Sequence, residues 1–250
     1  MSAELRNNSL INKKVIFEAN AFRRVPIHLG AKIDFLPDGT LLLTSGDGFD
    51  YKEQAQSLNN HFGKIIRLNK DGSVPSDNPF VDIPNALPEI FSYGHRNMQG
   101  LVVMEDGRIF EHEHGPRGGD EFNLIEPGKN YGWPAITYGI DYSGAVISPF
   151  TEMDGMEQPL KYWVPSIAPS DMIYYDGDLY PELKNSFLVT ALKSRDVKKI
   201  KKINSLFSEE SIFSNLKSRL RSIGISPSGE IYLLTDGRKG NLLKVTFAEK

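Results

Sequence analysis

The sequence predicts an all-β chain, a β-propeller of four-stranded antiparallel blades, from repeated hairpin signals, blade-sized spacing between them, and weak helical periodicity throughout. The clearest hairpin signals are FLPDGTLLLTSGD at Phe35–Asp47, VVMEDGRIFEHEHG at Val102–Gly115 and ISPSGEIYLLTDG at Ile225–Gly237. In each, an Asp-Gly or Ser-Gly pair separates two β-prone runs, which is how a tight hairpin reads in sequence. A looser fourth copy is MIYYDGDLYPELKNSFLVTAL at Met172–Leu192. The turn glycines Gly39, Gly107, Gly177 and Gly229 are 68, 70 and 52 residues apart, a spacing suited to about four blades with variable loops.

Further strands are expected at GKIIRLN (Gly63–Asn69) and NLLKVTF (Asn241–Phe247), and short helices only at Glu53–Asn60 and Ser205–Leu216. Many short strands with Gly and Pro turns also suit a sandwich or barrel, but hairpins recurring at this interval favour radial repetition. At 250 residues, a single propeller domain over 1–250 is the default organisation.

Composition removes several function classes. Lys and Arg total 29 against 32 Asp and Glu, so no general basic field attracts nucleic acid or an anionic membrane. No run approaches the roughly 20 apolar residues of a membrane helix, so membrane insertion is not expected. Cysteine is absent, which excludes disulfides, thiolate metal sites and thiol nucleophiles. The opening Met1–Asn12 has neither the charged start, the apolar core nor the cleavage site of an export signal. No G-x-S-x-G elbow suggests hydrolytic chemistry.

Between Lys184 and Arg221, ten Lys or Arg face three Asp or Glu. For KKIKK at Lys198–Lys202 the plain reading is a row of lysines on a solvated strand edge. Arg219 and Arg221 stand two apart, which puts both guanidiniums on one face of a strand, a pair of forks suited to an anion with several carboxylates. His112 and His114 also share a strand face, yet two side chains leave a tetrahedral zinc site half built.

Several long motifs resemble those of the soluble quinoprotein glucose dehydrogenases and, more closely, the bacterial aldose sugar dehydrogenases. They are HFGKIIRLNKDGSVPSDNPF at His61–Phe80, PEIFSYGHRNMQGL at Pro88–Leu101, EHEHGPRGGDEFNLIEPGKNYGWP at Glu111–Pro134 and GMEQPLKYWVPSIAPS at Gly155–Ser170. The tail SRLRSIGISPSGEIYLLTD continues the family order. The resemblance implies a six-bladed design with about two further blades and an export signal ahead of the first residue here, and a periplasmic or secreted location.

It also implies a reaction: oxidation of an aldose sugar at C1 to a lactone, with pyrroloquinoline quinone (PQQ) and Ca2+ as cofactors and an unidentified electron acceptor. By resemblance, His28 is the base, and Arg96 with Asn97 reaches the quinone carbonyl region. Lys193 contacts the cofactor, and Arg219 with Arg221 pairs its carboxylates. The backbone carbonyls of Gly115 and Pro116 take the calcium beside the quinone, and Glu121 and Tyr131 belong to a second calcium. Tyr162 and Trp163 lie near the substrate entrance, as a sugar platform or as core aromatics. A homodimer is among the assemblies open to the chain.

Around His28 the sequence reads HLGAK where the family usually reads His, any residue, Gly, Gly, Arg, so Ala31 and Lys32 depart from the pattern. Losing that glycine crowds a close backbone approach, and losing the arginine removes a planar donor fork. This departure, with the missing blades, keeps open a catalytically dead propeller remnant that binds carbohydrate or protein. A calcium-dependent lactonase on a similar propeller is a third reading.

Overall fold

The computed structural model describes residues 1–204 and 206–247, in two compact units. The first comprises Met1–Asn97, Glu126–Pro134 and Gly155–Glu157; the second comprises Met98–Ile125, Ala135–Asp154 and the chain from Gln158 onward. The fold is all-β, and among the described residues the ladders between strands are antiparallel.

In the first unit, β1 (Ser2–Arg6) and β2 (Ser9–Lys14) form a hairpin, followed by a four-stranded blade of β3 (Gly30–Phe35), β4 (Leu41–Ser45), β5 (Lys64–Leu68) and β6 (Ile90–Tyr93) in that order. Leu41, Ile66 and Leu68 form its small apolar core. Every residue of β5, KIIRL, is buried, its two cations included. The Lys64 ammonium donates to the carbonyls of Gln54 and Ala55, and Arg67 pairs with Asp38 and Asp77, so neither cation is buried without acceptors.

The second unit holds three blades. Strands β7 (Met98–Val103), β8 (Ile109–Glu113), β9 (Asp120–Ile125) and β10 (Lys161–Trp163) make one; β11 (Pro169–Tyr175), β12 (Ser186–Ala191), β13 (Val197–Ile203) and β14 (Leu206–Ile212) make the next; β15 (Leu220–Ile225), β16 (Ile231–Thr235) and β17 (Leu242–Lys244) make the third. Their first strands neighbour one another, β11 packing against both β7 and β15. Period-two geometry sends alternate β12 side chains to opposite sides. Phe187, Val189 and Ala191 enter one core with Phe110, Phe122, Trp163 and Met172, while Leu188 enters a second with Tyr175, Leu220, Ile223 and Leu233. A strand covered on both faces reads as the unbroken apolar run FLV rather than as an alternation.

The four expected hairpins coincide with β3–β4, β7–β8, β11–β12 and β15–β16. Two local expectations are corrected. The helix expected over Ser205–Leu216 is a strand, β14, followed by a one-turn 3-10 helix at Ser214–Leu216; Ser205 itself lies outside the described residues. Pairing along β13 and insertion of Phe207 against the first of those cores override a weak helical periodicity. The helix expected over Glu53–Asn60 contracts to a 3-10 turn at Lys52–Gln56. The KKIKK lysines are not on an edge either, because β13 is an interior strand. Lys198 is buried, with its ammonium 2.8 Å from Asp196, and Lys199 pairs with Glu210 across the ladder to β14.

Ala31 occupies the left-handed region at φ +73°, at a β-bulge where Ala31 and Lys32 together oppose Thr44 of β4. A non-glycine residue there costs about 1–2 kcal/mol, of which the extra unfolded-state freedom of glycine returns about 0.4–1. Ala31→Gly is therefore expected to stabilise the protein by up to about 1 kcal/mol, read as a melting temperature a few degrees higher.

Candidate active site

The first strand of every blade opens with the same irregularity. The ladders shift register between Gly30 and Ile33, Met98 and Gly100, Pro169 and Asp171, and Leu220 and Ser222. Such bulges re-aim side chains where a strand begins. Half of the expected catalytic, cofactor and calcium residues stand at these places. His28 precedes β3 by two residues, Arg96 and Asn97 lead directly into β7, Arg219 precedes β15, and Arg221 is itself the unpaired extra residue of its bulge.

In the first unit, His28 is anchored by an aspartate that the sequence reading did not single out. Its Nδ1 lies 2.7 Å from Oδ1 of Asp47, a residue with no solvent exposure. The same carboxylate accepts the Phe49 backbone N–H at 2.9 Å and the Trp133 indole N–H at 2.8 Å. An ionised carboxylate only accepts, so Nδ1 of His28 is the donor and the lone pair of the neutral ring sits on Nε2. The ring also packs edge-on against Phe49, 5.1 Å between centroids, and His28 holds φ +49°.

Arg96 belongs to the same cluster: its carbonyl accepts the Asp47 N–H at 2.7 Å, and its guanidinium lies 5.2 Å from the Trp133 ring centroid. Arg96 and Asn97 are both buried. Gly46 permits this convergence, since a Cβ there would lie 2.2 Å from the His28 carbonyl oxygen and 3.3 Å from that of Arg96. Arg23, also absent from the sequence reading, braces the loop by donating to the Gly46 carbonyl at 2.6 Å and to Ser45 Oγ at 3.1 Å. Burial lowers its pKa and the nearby Asp47 charge raises it. Tyr131 stacks on His95 at 4.6 Å, and its hydroxyl accepts the Glu126 N–H.

In the second unit, Arg219 and Arg221 converge on one carboxylate, with Arg219 Nε 2.8 Å from Asp236 Oδ2 and Arg221 Nη2 3.1 Å from Oδ1. The shared face that their spacing implies is present. Asp236 neutralises one of the two charges, and both guanidiniums remain about half exposed (47 %), leaving a net positive fork for an anion. Gly115 and Pro116 are buried, and a Cβ on Gly115 would lie 2.1 Å from the Gly119 carbonyl oxygen and 2.4 Å from that of Gly118. The carbonyls crowded there are those of Gly118 and Gly119 rather than the expected pair; backbone carbonyls are hard oxygen donors of the kind calcium takes. Lys193 is exposed, in a turn whose backbone bonds to Ile167.

Tyr162 and Trp163 separate. Trp163 is core and donates its indole N–H to Glu209 at 2.8 Å, whereas Tyr162 is exposed and stacks on Tyr138 with centroids 3.8 Å apart. His114 is engaged by the Pro169 carbonyl.

Glu121 lies on β9 beside Glu111 of β8, and Asn123 donates to both, at 2.8 Å to Glu111 and 3.4 Å to Glu121. Burial raises the pKa of Glu111 well above the carboxylate range, opposed by the Asn123 hydrogen bond and aided by the Glu121 charge. Burial likewise pushes Glu121 up to about 7, with the Asp120 charge adding to it. Because Glu121 keeps partial exposure and Glu111 has none, Glu111 holds its proton more firmly. Carboxyls raised on folding stabilise the fold fully below their ordinary value near 4.5, and that contribution drains as pH rises through about 7. With a chelator present, the melting temperature should fall from about pH 5 to about pH 8, and Glu111→Gln should make that slope shallower while the share of Glu121, raised by its own burial and by Asp120, remains.

The profile of the family described as Glucose / Sorbosone dehydrogenase matches residues 1–244. Aldose sugar dehydrogenase YliI of Escherichia coli (strain K12) is 38 % identical over 242 residues, a match covering 93 % of this chain and 65 % of that protein. The chain spans between 60 and 65 % of the length of the first curated relatives it matches. A crystal structure of a glucose dehydrogenase superposes with a TM-score of 0.94 at 40 % identity, over 98 % of this chain and 72 % of the other. The PQQ-bound aldose sugar dehydrogenase of Streptomyces coelicolor does so at 0.68 and 27 %, over 86 % and 61 %.

Proposed function

Because this chain belongs to the Glucose / Sorbosone dehydrogenase family, we propose that it oxidises an aldose sugar at C1 to the lactone, with PQQ and calcium as cofactors. The observation that carries this reading is the 2.7 Å contact between His28 and the buried Asp47, a general base with its orienting partner. The name of the PQQ-bound structural relative supports the quinone, and the net cation left by Arg219 and Arg221 over Asp236 fits a polycarboxylate. The Gly118 and Gly119 carbonyls crowded against Gly115 are oxygen donors of the class that calcium takes.

Nε2 of His28 takes the proton of the sugar hydroxyl while the C–H electron pair departs from the same carbon. Asp47 holds the ring in the tautomer that keeps Nε2 basic, and stabilises the imidazolium once it forms. The buried Arg96 guanidinium, fixed over Trp133, supplies positive potential where negative charge develops, and Asn97 adds an amide donor. Arg219, Arg221 and Lys193 hold the cofactor, and Gly115 and Pro116 hold calcium. Bound PQQ would supply the two-electron acceptor for the departing hydride, and calcium a Lewis acid. A periplasmic or secreted location belongs to the same proposal.

The test mixes purified protein with PQQ, calcium and a panel of aldoses and follows reduction of an artificial dye. Sugar-dependent reduction is expected, with His28→Ala slowing it by about 10²–10⁴-fold. No reduction by the wild type, or an unchanged rate in the variant, overturns the enzymatic reading in favour of a binding module.

A further inference from the structure

Asp47 carries a charge with no solvent exposure, and its hydrogen bonds from His28, Phe49 and Trp133 include no permanent cation. A carboxylate so placed draws a proton onto the imidazole beside it, because a neighbouring negative charge favours the ionised ring. A base that rests protonated cannot take the proton of a sugar hydroxyl. A cation near Asp47, but not bonded to it, offsets that pull.

Arg23, in the segment between β2 and β3, is placed to do so. Its Nη2 donates to Ser45 Oγ at 3.1 Å and to the Gly46 carbonyl at 2.6 Å, and its Nη1 to the Ala21 carbonyl at 2.8 Å. On the far side of Asp47, a Cβ on Gly48 would lie 3.1 Å from Arg23 Nε. The guanidinium therefore lies against the backbone immediately before and after the aspartate. The Phe62 ring stands over it, 5.1 Å to the centroid, and Nε is buried with no hydrogen-bond partner among the described residues. The three acceptors are uncharged, so the field of the cation is not absorbed by them. Burial lowers the Arg23 pKa and the charge of Asp47 opposes that, which is attraction between the two. The remaining charged group tied to the cluster is Arg96, with its guanidinium over Trp133; Phe49 and Trp133 carry none.

We propose that Arg23 is a positioning residue for the base: its cation shares the charge of Asp47 and so keeps the resting His28 uncharged. The proposal rests on the dehydrogenase reading given above. Charge and hydrogen-bonding fork are separable at this position. Arg23→Lys keeps the cation and loses the planar fork, Arg23→Gln loses the cation and keeps a donor, and Arg23→Met keeps only an unbranched stem over Phe62.

The experiment follows kcat/KM for dye-coupled sugar oxidation against pH in the wild type and these three variants, because the acid limb of that profile reports the base of the free enzyme. In Arg23→Gln the limb should move up by about half to one pH unit, since removing a cation favours the protonated ring, and activity should recover above it. Arg23→Lys should keep the limb near the wild-type position even where it slows the reaction at every pH. Arg23→Met repeats the loss of charge and decides the matter if Arg23→Gln does not fold. The same chains, without cofactor or sugar, are titrated by NMR through the ring protons of His28, assigned with His28→Ala, and those midpoints should move in step. An unmoved midpoint in folded Arg23→Gln or Arg23→Met overturns the proposal and leaves Arg23 a brace. A shift in Arg23→Lys as large as in Arg23→Gln overturns it too. Wild type that reduces no dye overturns the parent reading instead, and the ring titration then decides by itself whether Arg23 sets the charge of His28.

Discussion

Asp47→Asn should reduce sugar turnover by about 10³–10⁴-fold while leaving quinone affinity within a few-fold of the wild type, as expected when a buried aspartate orients a catalytic histidine. Asp47 receives three donors, from His28, Phe49 and Trp133, on two oxygens. Asparagine keeps one oxygen and substitutes two N–H groups for the other, so at least one donor meets a donor. The low-energy escape is for His28 to turn its Nδ1 lone pair toward the amide, which moves the proton to Nε2 and removes the base. The measurement is kcat by dye reduction beside a quinone titration. Activity within tenfold of the wild type would show that the dyad does not set the tautomer.

Gly46→Ala is the second large effect, and it acts through backbone alone. The added methyl would stand 2.2 Å from the His28 carbonyl oxygen, with the His28 carbonyl carbon at 2.8 Å. Neither atom is a flexible side-chain end, so the segment that carries His28 must retreat by on the order of 1 Å. A displacement of that size costs about 10²-fold in rate, and the overpacking costs about 1–3 kcal/mol of stability. Gly224→Ala is the matched control, because a Cβ there meets nothing within 4 Å. The two variants are separated by kcat and by the urea midpoint. Normal activity in Gly46→Ala would mean that the His28 segment yields without consequence.

The blades were legible because each hairpin carries its own local signal, an Asp-Gly or Ser-Gly pair between two β-prone runs. The error over Leu206–Ile212 has the opposite origin. LFSEESI carries too little periodicity to identify its structure, and its conformation is imposed by pairing with residues 197–203. At the site, His28, Arg96, Arg219 and Arg221 were readable through long motifs and, for the two arginines, through period-two spacing. Asp47 was within sight, in TSGDG directly after an expected strand, but nothing in that string says that its carboxylate reaches back 19 residues to a histidine. Asp236 escaped for a similar reason: it reaches 15 and 17 residues back along the chain. Orienting carboxylates act over distances in sequence that no local pattern records, whereas the groups they orient sit in motifs.

The extra residue at the head of β15 has an evolutionary consequence. Side chains within a ladder are bound by the rule that successive positions face opposite sides, so a change of polarity there disturbs either a core or a surface. Arg221 stands outside that rule: the register shift between Leu220 and Ser222 makes it the extra residue of its ladder, with its side chain about half exposed. Its chemistry can be exchanged without rewriting the pattern that folds the blade. A scaffold of this kind can acquire a new ligand, or lose an old one, by substitution at such an exempt position while its packing stays as it was.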